Sequence, residues 1–128
     1  PWSPLAGGFL TGKYKRNEKP PEEARHGQRD SHGVMTDAGF DVVERLEQLA
    51  GKKGCTASQL ALAWCMHQRG ITSPIIGPRT MQQLEDNLGA LEVDVTDQDR
   101  DALDEIAPPG GALSEFYQAD FGPDRYRP

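Results

Sequence analysis

The segment Ile71 to Leu91, ITSPIIGPRTMQQLEDNLGAL, constrains the fold most. Pro74-Ile75-Ile76 is too short an apolar run for a helix. β-branched residues bounded by turn formers predict a buried strand. Gly77-Pro78 breaks that strand. Thr80 then caps a helix, and Gln83 three residues on completes a capping box. Met81, Leu84, Leu88 and Leu91 follow at steps of 3, 4 and 3, one apolar stripe of a helix. Strand, tight turn and helix N-terminus thus succeed one another, with Arg79 in the turn. Unpaired backbone N–H groups and the positive end of the helix dipole lie at such a turn. A guanidinium that grips phosphate bidentately makes it an anion site. Gln83, Asp86 and Asn87 lie near the start of the helix, off the stripe and within reach of a ligand. On the local pattern alone, an ordinary connection with a solvated arginine explains the same residues.

The remainder of the chain narrows the choice. At 128 residues it has room for one modest domain. Its net charge of −6 argues against general binding to nucleic acid or to an anionic membrane. No run approaches the length of a membrane span and no signal-peptide pattern opens the chain. Cys55 and Cys65 lie outside any CxxC or paired-histidine spacing, so reduced thiols in a cytoplasmic protein fit better than a disulfide framework or a zinc site. The chain opens inside what reads as an element and without Met, as a piece of a longer protein does.

Residues 1–14, PWSPLAGGFLTGKY, read as a strand end followed by a loop that brings backbone close to a ligand. Gly7, Gly12 and Lys13 match the spacing of a phosphate loop. Tyr14, however, stands where a hydroxyl is needed on Mg²⁺, and KRNEKPPEE follows instead of a helix. An NTPase is therefore rejected, while an anion beside Lys13 remains open. Residues 15–35 read as a long charged surface loop, with Arg25 and Arg29 as further cations for an anion. Any one of these is as well explained as a solvated charge.

Two amphipathic helices follow, over 36–50 and 56–69. The first carries Phe40, Val43, Leu46 and Leu49 and ends at Gly51. The second is capped by Thr56 with Gln59 and ends at Gly70. Trp64 and Met66 read as core, and His67 as a residue suited to the helix C-terminus. Leu91 to Val95 reads as an extended link. Thr96 caps a fourth helix, with Leu103 and Ile106 turned inward and Pro108 as the stop. Residues 108–128 form a Pro-, Gly- and aromatic-rich tail. Its Phe116, Tyr117 and Phe121 suit either the wall of a substrate pocket or an ordinary terminus.

WSPLAGGFLTGKY and PIIGPRTMQQLEDNLGAL together resemble the C-terminal part of the aldo-keto reductases, including the related β subunits of voltage-gated potassium channels. The resemblance covers residues 1–107. It implies an α/β fold, the C-terminal part of a (β/α)8 TIM barrel, mostly helical as it stands with one or two short strands. Barrel phosphate sites form from the loops after strands 7 and 8 and a nearby helix N-terminus. The turn at Arg79 is then the site for the adenosine 2′-phosphate of NADPH. By resemblance, Trp2, Ser3, Pro4 and Leu5 line the cofactor, and Gly8 allows close backbone approach. Lys13 and Arg25 reach its phosphates, and Gly77, Arg79, Gln83, Asp86 and Asn87 form the 2′-phosphate and adenine pocket. Asp86 stands where the family often has Glu. Lys13 and Arg79 imply NADPH over NADH.

The family reduces an aldehyde or ketone by hydride transfer, using Asp, Tyr, Lys and His on earlier strands. None of its motifs for them occurs here: His26, His32 and His67 lie outside its His motif, and Tyr14 and Tyr117 outside its Tyr motif. No catalytic residue is therefore assigned. The leading expectation is a fragment carrying the adenosine-phosphate half of an NADPH site, whose complete enzyme acts on a small carbonyl substrate. The alternative is a non-catalytic remnant or interaction module that binds nucleotide. One or two strands leave a barrel with open edges, so the isolated chain is expected to be marginally stable or loosely packed. Calorimetry tests this: the expected trace is broad with a small enthalpy, and a sharp two-state transition with a large enthalpy contradicts it.

Overall fold

The computed structural model describes residues 1–25, 30, 33–108 and 111–114. Four helices dominate: α1 (Asp37–Lys53), α2 (Ala57–Met66), α3 (Met81–Leu88) and α4 (Asp97–Asp104). Two 3₁₀ segments, Ala6–Thr11 and Gly89–Glu92, precede α1 and follow α3. No helix among the described residues is long and apolar enough to cross a membrane.

Each helix begins at a threonine. Thr36, Thr56, Thr80 and Thr96 accept a hydrogen bond from the backbone N–H three residues on. The capping boxes of α2 and α4 are complete, the second with Asp99 in the return position. That of α3 is offset by one residue. The Gln83 side-chain oxygen accepts from the N–H of Arg79, at 2.8 Å, instead of from Thr80.

The α1 stripe lies where its spacing places it. Leu46, Leu49 and Ala50 pack with Ala57, Leu60, Ala61 and Ala63 of α2, together with Val95 and Leu103. The alanines keep α2 slender on this face, and Leu60 is wholly buried. Trp64 and Met66, read as core, are half-buried against the same cluster. Phe40 and Val43, one turn earlier, join Phe9, Tyr14 and Val34 in a second cluster. There Phe9 meets Phe40 edge to face, with ring centroids 5.3 Å apart.

Several boundaries differ from the sequence reading. Helix α1 runs through Gly51 to Lys53 and ends at Gly54, which takes the left-handed conformation at φ +72°. The Cys55 N–H then bonds the Ala50 carbonyl, closing the helix end. Of the two glycines in AGKKG, the second occupies the position that needs positive φ, and the first lies in open space. Helix α2 stops at Met66, not Arg69. Backbone N–H and ring Nδ1 of His67 both face the Ala63 carbonyl, so Nδ1 carries the proton, and the chain turns at Gly70. The link after α3 begins as the second 3₁₀ segment and is extended only from Val93.

The larger correction concerns the strand. Pro74-Ile75-Ile76 forms a single parallel bridge, Ile75 to Trp2, and Ile75 is 68% exposed. A strand is buried by neighbouring strands, and the described residues supply one bridging partner. For the same reason the stripe of α3 is not buried: Met81, Leu88 and Leu91 are exposed, and no residue of α3 is buried. The loop after Tyr14 is less free than expected. Arg16 reaches Asp37, Asp41 and Glu44 of α1, and Lys15 pairs with Glu47. Arg29, His26, His32, Phe116, Tyr117 and Phe121 lie outside the described residues. Both cysteines are free.

One ion pair ties α4 to the end of α1. Lys53 Nζ lies 2.8 Å from Asp99 Oδ2, with both side chains largely covered. Lys53 and the Thr96 cap together hold the Asp99 carboxyl at about 2, below its ordinary 3.8. A carboxylate with its pKa lowered on folding contributes stability above the unfolded value and loses it as pH falls toward the folded one. Urea denaturation should therefore show stability falling between pH 4 and pH 2, and Lys53→Met should flatten that fall.

Candidate functional site

The first eight residues fold tightly. Ser3 and Ala6 adopt positive φ without being glycine, at +53° and +48°. Such conformations cost about 1–3 kcal/mol each and persist where surroundings dictate them. Gly7 and Gly8 continue at +67° and +94°. The Ala6 N–H bonds the Ser3 carbonyl, and the Gly7 N–H bonds Ser3 Oγ. The result is a short curl of backbone directly after the bridging residue Trp2. The missing side chain at Gly8 matters. A Cβ there would lie 2.9 Å from Lys13 Nζ, so Lys13 folds directly over this backbone.

The curl, the loop carrying Lys13 and Arg25, and the turn carrying Arg79 enclose one cleft of about 700 Å³. The residues that the resemblance assigns to the cofactor all line it: Trp2, Ser3, Pro4, Leu5, Gly8, Lys13, Arg25, Gly77, Arg79, Gln83, Asp86 and Asn87. They come from three segments of the chain, residues 2–13, Arg25 and residues 77–87. The Trp2–Ile75 bridge, in which the Ile75 N–H also bonds the Pro1 carbonyl, brings the first segment beside the last. Arg79 Nη2 donates to the Glu23 carbonyl at 3.2 Å, joining the turn to the loop.

The cleft wall carries three cations, Lys13, Arg25 and Arg79, and two acidic residues, Glu23 and Asp86. The Lys13 ammonium is held below its usual pKa, first by lost hydration and then by repulsion from Arg79 and Arg25. A lysine repelled by two guanidiniums in a concave site suits an anion, which relieves that repulsion. The phosphate-loop spacing is not used in the NTPase manner. Tyr14 is buried with Phe9, and turns rather than a helix follow Lys13.

Two site residues differ in detail from the sequence reading. The Gln83 oxygen is engaged by Arg79 N–H, which fixes the turn and leaves the amide NH₂ to face a ligand. The Asp86 carboxylate accepts from the Thr56 hydroxyl, with Oδ1 at 3.0 Å and Oδ2 at 3.3 Å, so it is turned toward the start of α2. The structure adds Gly7, Thr11, Glu23, Ala24, Ser58 and Pro78 to the cleft wall. Ser58 is buried in the first turn of α2. A serine inside an otherwise apolar helical face was the available signal for it.

The model of the Aldo/keto reductase family matches residues 1–108. The chain belongs to the aldo-keto reductase family. Among curated relatives it is 34% identical over 118 residues to "Uncharacterized oxidoreductase YrpG" of Bacillus subtilis (strain 168). The match takes in 91% of this chain and 34% of the relative, so the chain spans about a third of that protein's length. All three cleft-forming segments of this aldo-keto reductase sequence fall inside the family match.

The charge crowding is open to direct measurement. Arg79→Ala should raise the titration midpoint of the Lys13 amine, read from the pH dependence of its acylation by peptide mass. The midpoint should stay below 10.5, because lost hydration is the larger cause.

Proposed function

We propose that these residues form the adenosine-phosphate half of the NADPH site of an aldo-keto reductase that reduces an aldehyde or ketone to an alcohol. The observation that carries the reading is the convergence of Lys13, Arg25 and Arg79 on one cleft with the backbone curl of residues 3–8. The residues suit the cofactor. Arg79 presents a planar fork for a 2′-phosphate, and Lys13 is a compact charge over the Gly8 backbone for the remaining phosphates. Gln83 and Asn87 place amide groups beside them for the adenine edge. Trp2, half exposed on the wall, offers an apolar face.

When bound, NADPH supplies the hydride that a carbonyl carbon accepts. The part played by this chain is to bind and orient. Cations and N–H groups preset around the phosphates hold the far end of the cofactor, and binding energy gained there fixes the position of the reacting end. The proton donor is assigned to strands of the barrel outside these 128 residues, and the carbonyl substrate to loops borne on them. Residues 1–107 then form one structural unit, the cofactor end of the barrel, with 108–128 as its tail.

Titration calorimetry with NADPH and NADH tests the reading. A hydrogen bond to a charged group contributes about 1.5–3 kcal/mol. Arg79→Ala should therefore weaken NADPH by roughly 10- to 100-fold and NADH by much less. Equal affinity for the two nucleotides in the unaltered chain, or no effect of Arg79→Ala, refutes it.

A further inference from the structure

Helix α3 carries Gln83, Asp86 and Asn87 and fixes Arg79 through Gln83, yet it buries none of its own residues. Its attachment to the rest of the molecule is largely polar. The Thr56 hydroxyl donates to the Asp86 carboxylate, with Oδ1 at 3.0 Å and Oδ2 at 3.3 Å. Gln59 Nε2 donates to the Asp86 backbone carbonyl at 3.0 Å. These are the two members of the α2 capping box, and their remaining capacity is used within it. Gln59 N–H donates to Thr56 Oγ1 at 3.1 Å, and Thr56 N–H to Gln59 Oε1 at 3.0 Å. A hydroxyl has one proton and two lone pairs, so Thr56 serves cap and clamp at once. Gly89, just past α3, lets the Gln59 amide in: a Cβ there would lie 2.4 Å from Nε2.

We infer that Thr56 and Gln59, neither of which lines the cleft, are positioning residues that hold α3 in register with Lys13 and the 3–8 curl. This deepens the cofactor reading above and rests on it. The α4 capping box supplies the contrast. Thr96 and Asp99 close on each other and on Lys53, not on α3. Loss of a threonine cap has the same local cost at both helices. Only the loss at Thr56 should disturb a neighbouring helix and a ligand site.

The test compares Thr56→Val, Gln59→Leu, Thr56→Ser and Thr96→Val in the full 128-residue chain. Hydrogen exchange is read helix by helix, and binding of adenosine 2′,5′-bisphosphate by calorimetry. Thr56→Val and Gln59→Leu should each speed exchange in α3 and raise the bisphosphate Kd by about tenfold, with α4 unchanged. Thr96→Val should loosen α4 alone, and Thr56→Ser should behave as the unaltered chain. Should Thr56→Val unfold throughout, Gln59→Leu, which keeps the threonine cap, decides. Unchanged α3 exchange in Thr56→Val and Gln59→Leu overturns the inference, as does a loosened α3 with unchanged Kd. No binding by the unaltered chain overturns the positioning role together with the cofactor reading. α3 exchange then still shows whether the clamp itself exists, which separates the two failures.

Discussion

The contact between α1 and α2 organises everything else in this molecule. Leu46, Leu49 and Ala50 meet Leu60, Ala61 and Ala63 across an interface narrow enough for Leu60 to lose all its exposure. Truncating a leucine in such a place costs about 2–5 kcal/mol, a large share of the stability of a small domain. The other parts are hung from this pair by different means. Helix α4 is attached by Leu103 and the Lys53–Asp99 pair, the N-terminal curl by Phe9 on Phe40, and α3 by the Thr56–Gln59 clamp. The cleft is lined by the curl, by the loop carrying Lys13 and Arg25, and by α3 with its turn, so its shape follows largely from elements outside the α1–α2 contact.

That division suits a binding site. Residues tied by polar contacts and by backbone in unusual conformations tolerate small displacements that a close-packed core does not. Ser3 and Ala6 hold positive φ, and Arg79 is fixed at both ends, its N–H on Gln83 and its guanidinium on the Glu23 carbonyl. Three cations share the cleft wall with the acidic residues Glu23 and Asp86, and Arg79 and Arg25 still repel Lys13. An entering anion relieves that repulsion.

What the sequence disclosed follows from the range of the interactions involved. Helices α1, α2 and α4 were legible because cap, stripe and terminator all lie within a few residues of one another, as in Thr56–Gln59 and Phe40–Leu49. Boundaries slipped where two candidates stood side by side, as at Gly51 and Gly54. The residues that line the cleft were legible because the turn at Arg79 is a local pattern and the two motifs are long. The strand was not, because partners elsewhere in space decide whether Ile75 is covered. The tie between Thr56 and Asp86 spans 30 residues and leaves no local pattern. Nor does the sequence show that the Gln83 side chain reaches back four residues to Arg79 instead of three to Thr80.

The open stripe of α3 has a consequence for handling the protein. Met81 and Leu91 each leave 68% of their surface in water, and Leu88 leaves 50%. Exposed apolar surface of this kind promotes self-association. At neutral pH the net charge of −6 opposes it by repulsion between molecules. Near the isoelectric point of about 5.0 that repulsion vanishes, and added salt screens it at any pH. Solubility should accordingly be lowest in mildly acidic, salty buffer, well above the pH at which the Lys53–Asp99 pair begins to fail. Colloidal loss therefore precedes unfolding on the acid side, and turbidity there reports on the surface of α3 and not on the stability of the fold.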